Sequence, residues 1–246
     1  MIRKIGLLLA LSISLVSCQF TETMVLNEDG SGQMKLSLDL SEMMAFSGEM
    51  AQDSTLVKQD TTVAFKDLLE EKKDSIAQLP EEQQQRLKAL KNFSMHLFSD
   101  PESNQMVMDV FTDFSNVAEA NDLMKGFQQS DNLFPQKNGN PSEEPKEMEP
   151  ETIGVTYSFK NGIFKRDAYI IDVAKHQAQV DSLKQAEAFM GGIMYKIKYT
   201  FPRKIKKTSV EDATFSLDGK TLELQRSFID YIKTPDVLDV EVELEK

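Results

Sequence analysis

Alternating apolar and polar residues occur in pairs of short runs along the chain and predict β-hairpins. Three such pairs are separated by turn residues: 23–26 with 34–40, 93–97 with 106–110, and 155–159 with 164–173. The first pair turns at Asp29-Gly30 and the third at Asn161-Gly162, dipeptides that favour tight hairpin turns. Further alternating runs lie at 193–201 and 238–244, and a hairpin turn is predicted at Asp218-Gly219. Alternation of this kind indicates strands with one buried and one solvated face.

Apolar residues spaced three or four positions apart predict helices between the hairpins. The predicted helical stretches are a short helix capped by Ser41, residues 65–79, a second helix that begins at Pro80 and includes Leu90, residues 115–127, and residues 180–189. Pro is favoured in the first turn of a helix, and Gly191-Gly192 ends the last stretch. Residues 47–62 are polar and poorly patterned, so no element is predicted there.

This order of elements predicts an α+β fold, an antiparallel sheet built from hairpins with amphipathic helices packed on one face. Residues 18–134 form the first half of hairpins and helices, and residues 152–246 form the second half. Between them, residues 135–151 are rich in Pro and Glu and are expected to be a disordered acidic loop. We expect the two halves to combine into one domain.

The first 17 residues have the organisation of a signal peptide. Arg3 and Lys4 precede an apolar run over residues 5–16. A bilayer-spanning helix needs about 20 apolar residues, so the shorter run is interpreted as a signal-peptide core. The following Leu15-Val16-Ser17-Cys18 resembles the bacterial lipobox, in which the Cys sulfur takes a diacylglycerol and the new amino terminus is acylated. This resemblance implies cleavage after residue 17 and a membrane anchor through lipid on Cys18.

Charge and cysteine content narrow the range of partners. Loss of residues 1–17 removes two basic residues and shifts the formal charge from −12 to −14, so nucleic acid is not expected as a partner. Cys18 is the single Cys of the chain, so no disulfide can form once it is lipidated. An Asp directly after the lipidated Cys resembles an inner-membrane retention signal, and this chain has Gln19 at that position instead. We therefore expect the outer membrane, with the domain facing the periplasm.

Short motifs at both ends of the mature chain resemble the LppM-like domain of bacterial lipoproteins. They are Asp29-Gly30-Ser31-Gly32, Tyr199-Thr200-Phe201-Pro202, Asp218-Gly219-Lys220 and the closing strand. Residues 41–150 fall outside the resemblance and are interpreted as an insertion. The resemblance implies an α+β domain of the cell envelope and brings no catalytic residues with it.

The chain has few candidate metal ligands or catalytic residues. Neither His96 nor His176 has a second ligand at metal-binding spacing, so no metal and no cofactor is expected. His96 shares its strand face with Ser94 and is expected to be solvated. The segment that starts at Asn27 resembles a calcium loop, but Leu38 stands where the bidentate Glu belongs, so a turn is expected. No catalytic residue is predicted.

One dense basic cluster stands out in this acidic chain. Its members follow Phe201-Pro202 and are Arg203, Lys204, Lys206 and Lys207. Such a cluster is either a solvated loop or a contact for an anionic partner, such as a lipid phosphate or an acidic protein. We treat the four residues as the candidate partner-binding site.

Three function classes remain after these steps. The first is a non-catalytic envelope module that binds a protein or another envelope component while anchored to the membrane. The second is a carrier or chaperone for a lipid or other apolar ligand, and the third is a hydrolase. An apolar cavity between sheet and helices would favour the carrier, whereas a filled core would favour the binding module.

Overall fold

The computed structural model describes residues 19–41, 58–122, 152–184 and 187–246. Cys18, the signal segment, the short helix after Ser41 and the loop at 135–151 lie outside the described residues. The described strands are β1 (Gln19–Leu26), β2 (Gly32–Asp39), β3 (Gln59–Ala64), β4 (Phe93–Asp100), β5 (Gln105–Phe114), β6 (Ile153–Lys160), β7 (Ile163–Ile170), β8 (Met194–Thr200), β9 (Ile205–Thr208), β10 (Thr214–Phe215), β11 (Thr221–Ser227) and β12 (Val240–Leu244).

The strands form two sheets. The larger has eight strands in the order β10-β11-β8-β1-β2-β5-β4-β3, and the smaller has four in the order β6-β7-β12-β9. The larger sheet is mixed, because β1 pairs in parallel with β8 while its other pairs are antiparallel. All pairs of the smaller sheet are antiparallel.

Short helices complete the described part of the chain. They are α1 (Phe65–Glu71), α2 (Lys73–Ile76), α3 (Glu81–Ala89), α4 (Val173–Leu183), α5 (Glu187–Met190) and α6 (Phe228–Lys233), with 3-10 turns at Leu90–Asn92, Val117–Asp122 and Pro235–Leu238. Phe65 at the start of α1 and Leu90 after α3 are buried in the same core cluster as Met95 and Val110 of the larger sheet. Helices thus cover part of the inner face of that sheet.

The smaller sheet covers the neighbouring part of the inner face, and its orientation follows from two contacts. The ring of Phe164 on β7 meets the ring of Tyr199 edge-on at 5.3 Å, and Tyr199 is the register partner of Met24. Two residues further along β7, the Arg166 side chain reaches Glu22 on β1. β7 and β1 therefore run in opposite directions.

This opposite direction defines two ends of the molecule. β1 starts and β7 finishes at one end, which we call the Gln19 end. The turn after β1 and the turn between β6 and β7 lie at the other. There Glu28 forms an ion pair with Arg203, so we call it the Arg203 end. Seven steps along β1 separate the two ends by about 23 Å.

The prediction of an α+β fold is confirmed, and the three predicted hairpins form as antiparallel pairs β1–β2, β4–β5 and β6–β7. The structure adds a second sheet as a further cover of the inner face and one parallel strand pair. The prediction of no element at residues 47–62 is wrong for the last part of that segment, because β3 begins at Gln59 and pairs with β4. The single helix predicted over residues 180–189 is wrong in its extent, because α4 covers Val173–Leu183 and a separate helix, α5, covers Glu187–Met190.

Candidate functional site

An open polar pocket of about 370 Å³ lies at the Arg203 end. It is surrounded by two hairpin turns, by the start of a 3-10 turn and by Arg203. Its lining residues are Glu28, Asp29, Gly30, Asn116, Val117, Phe159, Asn161, Gly162 and Arg203. The pocket thus joins segments that are far apart in sequence, and it includes one member of the predicted basic cluster. We call it the Arg203 pocket.

The turn between β1 and β2 forms one wall of the Arg203 pocket. The amide and hydroxyl of Ser31 donate to Asp29 Oδ1 at 3.0 and 2.6 Å. These hydrogen bonds hold the pKa of the Asp29 carboxyl below its ordinary value, so the turn keeps a negative charge. Gly30 supplies the positive φ of 83° that the turn requires.

The turn between β6 and β7 forms the opposite wall. Asn161 and Gly162 have φ values of 55° and 76°, the two successive positive angles of the hairpin turn that an Asn-Gly sequence favours. Gly162 has a second role, since a Cβ on it would lie 3.3 Å from Nη2 of Arg203. The absence of a side chain lets the guanidinium lie against the turn.

Arg203 contacts two residues that lie near opposite termini of the sequence. Its Nε lies 3.0 Å from Oε1 of Glu28 in an ion pair, although the N–H direction misses the carboxylate and makes no hydrogen bond. Its Nη1 donates to the carbonyl oxygen of Glu245 at 2.6 Å. The guanidinium is thereby fixed at the rim of the pocket while Nη2 points toward Gly162.

The other three members of the basic cluster lie outside the lining of the Arg203 pocket. Lys204, Lys206 and Lys207 are exposed. Lys206 and Lys207 are neighbours on β9, at an irregularity in its pairing with β12 where Glu243 pairs with Lys207 and Leu244 pairs with Ile205. Lys206 donates to Glu243 at 2.5 Å, and this hydrogen bond, with the charges of both lysines, lowers the pKa of Glu243. Lys206 and Lys207 therefore both interact with Glu243, and the use of the cluster as a partner contact stays a prediction.

A second polar group of residues, which the sequence analysis did not find, lies buried between the two sheets. Glu22 and Arg166 are 0% and 2% exposed. Nε and Nη2 of Arg166 each lie 3.4 Å from a carboxylate oxygen of Glu22. Three tyrosine hydroxyls donate to the same carboxylate: Tyr157 and Tyr195, each at 2.7 Å, and Tyr199. We call these five residues the Glu22 cluster.

The charges of the Glu22 cluster compensate each other. Burial alone raises the pKa of Glu22, but Arg166 and the three hydroxyls outweigh burial and hold that pKa below its ordinary value. Burial, together with the nearby Glu22 charge, raises the pKa of each tyrosine well above its usual range, so all three stay protonated and donate. Arg166 also donates to the carbonyl of Leu238 at 3.3 Å.

A local signal for the Glu22 cluster does exist in the sequence. Glu22 falls in phase with Met24 and Leu26 on the apolar face of β1, and Arg166 falls in phase with Phe164 on β7. A single acidic residue and a single basic residue, each on the buried face of a hairpin strand, indicate an internal ion pair. The cluster is closed to solvent, so we assign it to the folding of the sandwich.

The two histidines have separate environments. His96 lies on the outer face of the larger sheet at 30% exposure, and its Nε2 is 2.8 Å from Asp60. The hydrogen bond to Asp60, with a weaker contribution from Asp109, raises the pKa of His96. His176 is buried on α4, and its Nε2 lies 2.7 Å from the carbonyl of Ile232. Within the described ranges, no group of three or more His, Cys, Asp or Glu side chains could hold a metal.

A second open cavity of about 450 Å³ lies on the smaller sheet and has Thr156, Lys165, Asp167 and Glu241 in its lining. Like the Arg203 pocket, it is bordered by polar side chains and suits polar groups better than an acyl chain.

None of the helices that the structure describes is long and apolar enough to cross a membrane.

Comparison with known proteins gives one distant structural match. No family model matches the chain, and no curated protein matches its sequence. Among solved structures, the folded domain of the LppM protein of Mycobacterium tuberculosis matches with a TM-score of 0.39 and 7% identical residues. The match covers 93% of this chain and 91% of that domain. A likeness at this level carries no argument about function.

Proposed function

We propose that the chain is a lipid-anchored binding module of the cell envelope that presents its Arg203 end to an envelope protein. The observation that carries the proposal is the position of the Arg203 pocket. It lies at the end of β1 opposite to Gln19, the residue that follows the proposed lipid-bearing Cys18. A partner thus contacts the polar Arg203 pocket on the side that faces away from the anchor.

The short connection to the anchor supports this orientation. Gln19 is already part of β1, so β1 begins one residue after Cys18. One extended residue spans only about 3.5 Å, and the start of β1 is therefore held against the membrane. The Arg203 end then stands about 23 Å further out, the length of β1. We place the protein at the outer membrane, facing the periplasm, because Gln19 follows the lipobox.

The chemistry of the Arg203 pocket favours a polar partner that brings an acceptor to Arg203 and donors to Glu28 and Asp29. Arg203 is fixed at the rim by Glu28 and by the Glu245 carbonyl. Its Nη2 lies near Gly162, and the next residue along the chain, Lys204, is exposed. A fixed guanidinium loses little conformational freedom when an acceptor binds, so each hydrogen bond that it gains contributes more to affinity.

The filled interior makes the carrier function less favoured. The space between the sheets is occupied by the Glu22 cluster and by aromatic rings such as Phe164, which meets Tyr199 and Phe201 at 5.3 Å. An acyl chain in this space would bury the Glu22 carboxylate and the Arg166 guanidinium against hydrocarbon. That would cost far more than the acyl chain gains, unless the ion pair opened to water.

Site-specific photocrosslinking in the native envelope tests the proposal. A photoreactive phenylalanine replaces Lys204 in one strain and exposed Lys184, in the turn that follows α4, in another. We expect a defined protein adduct from position 204, reduced at least fivefold by Arg203→Ala. The matched control is Arg226→Ala, which removes another surface arginine in an ion pair, here with Asp212 at 2.8 Å.

Two outcomes would contradict the proposed function. Equal adducts from both photoreactive positions would mean that the Arg203 end is not selective. An adduct from position 204 that survives Arg203→Ala as well as it survives Arg226→Ala would mean that the pocket does not bind the partner.

A further inference from the structure

Four apolar side chains are exposed where β7 ends and α4 begins. Tyr169, Ile170, Ile171 and Val173 are 47%, 38%, 46% and 72% exposed. We call these four residues the apolar ridge. Within the five positions 169–173, Asp172 is the one polar residue, and its carboxylate accepts the amide of Lys175 at 3.0 Å as the cap of α4. The ridge thus places four exposed apolar side chains within five consecutive positions of an ordered piece of backbone.

Specific contacts hold the apolar ridge in its exposed position. The amide of Ile171 donates to the carbonyl of Thr152 at 2.8 Å, which ties the segment to the start of β6. The ring of Tyr169 lies across Gly154, where a Cβ would be 2.4 Å from the ring. An exposed apolar patch costs solvation free energy in a soluble protein, so one built this firmly indicates a surface that is covered in use.

The fold places the apolar ridge at the Gln19 end. Phe164 lies at the level of Met24 and Arg166 lies at the level of Glu22, so the strand direction brings Tyr169 to the level of Gln19. The proposed lipid on Cys18 and the apolar ridge therefore leave the sandwich on the same side. The Arg203 pocket lies at the opposite end.

We propose that the apolar ridge inserts into the surface of the bilayer that carries the lipid anchor. This inference rests on the proposed function, because it needs the membrane that the lipid on Cys18 supplies. With β1 beginning one residue after Cys18, the headgroup region is within reach of side chains at the Gln19 end. Isoleucine and valine enter the acyl boundary, and Tyr169 suits the headgroup level with its apolar ring and polar hydroxyl.

Insertion of the apolar ridge would give the domain a fixed orientation. A single flexible attachment lets a domain tumble over the bilayer, whereas two separate contacts restrict it. The lipid and the ridge are two such contacts, since Ile171 follows a strand of the smaller sheet and Gln19 begins a strand of the larger one. The Arg203 pocket would then be held away from the membrane and toward the periplasmic space.

Single tryptophans report this contact directly, since the chain contains no Trp. Full-length lipidated Ile171→Trp and Val173→Trp are reconstituted in vesicles of phosphatidylethanolamine and phosphatidylglycerol. The matched control is Leu217→Trp, at an exposed apolar position beside the Asp218-Gly219 turn. For both ridge variants we expect a blue-shifted emission and at least twofold quenching by lipids brominated on the acyl chain, and neither effect for Leu217→Trp.

Flotation of the same vesicles separates the failure of the ridge from the failure of the anchor. Protein that floats with the vesicles while both ridge tryptophans stay unquenched would overturn the insertion and leave the anchor in place. Ridge tryptophans shielded from aqueous iodide but unquenched by brominated lipid would show that protein, not lipid, covers the ridge, which also overturns it. Protein that does not float would overturn the anchor and, with it, the insertion.

Discussion

Replacing Glu22 with Gln should destabilise the protein by about 3–5 kcal/mol, the usual cost of removing one member of a buried ion pair. Glu22 accepts hydrogen bonds from Arg166 and from three tyrosine hydroxyls. Gln has almost the same size, so little cavity forms and the change is electrostatic. Its amide group brings donors to a site already filled with donors, and Arg166 is left as an uncompensated buried charge. This is a large share of the 5–15 kcal/mol that stabilises a typical domain.

Companion variants separate charge from hydrogen bonding. Tyr199→Phe removes one hydroxyl that donates to the carboxylate and should cost about 1.5–3 kcal/mol, less than Glu22→Gln. Arg166→Met removes the other charge and should cost about as much as Glu22→Gln. The double variant Glu22→Gln, Arg166→Met leaves no net buried charge, so its loss should be smaller than the summed losses of the two single variants.

Urea unfolding of the mature lipoprotein in detergent, followed by circular dichroism at pH 7, gives the free energy of unfolding for each variant. A loss below about 1 kcal/mol for Glu22→Gln would refute a buried, charged Glu22 cluster. Additive losses in the double variant would refute the coupling. The pKa of Glu22 is lowered on folding, so its contribution is present above the ordinary carboxyl pKa and is lost as the pH falls through the folded-state pKa.

Two further predictions concern the surface. Gly162→Ala should lower the free energy of unfolding by about 1 kcal/mol in the same titration, because φ is +76° there, whereas Gly192→Ala, which has open space and no positive φ, should be nearly neutral. Asp60→Asn should lower the pKa of His96 in an NMR titration, and Asp113→Asn on the same sheet should not. Because the His96 pKa is raised on folding, its stabilising contribution is full below the unfolded-state pKa and is lost as the pH rises through the folded-state pKa. An unchanged pKa in Asp60→Asn would contradict the described hydrogen bond.

Elements set by local pattern were predictable from the sequence. The Asn161-Gly162 turn adopts the positive φ angles that its residues favour, and the flanking strands pair as their alternation predicts. The parallel pairing of β1 with β8 was not predictable, because the pairing partners lie about 175 positions apart in sequence and alternation alone does not specify a partner. The polar strand β3 was missed because its residues are mostly exposed at the edge of the larger sheet.

The candidate site was predictable only in part. The basic cluster predicted from the sequence includes Arg203, but Lys206 and Lys207 act on Glu243 of β12 and do not line the Arg203 pocket. The acidic half of the Arg203 pocket comes from the turn that contains Glu28, about 175 residues away. Contacts of this range follow from tertiary packing, which a local pattern does not report.

Mass spectrometry of the amino-terminal peptide from the membrane fraction tests the central claim, a lipid anchor on Cys18, most directly. We predict a mature chain that begins at Cys18 and carries a diacylglycerol on sulfur and a further acyl chain on its amino group. A chain that begins at another residue, or an unmodified Cys18 in membrane-bound protein, would contradict the account.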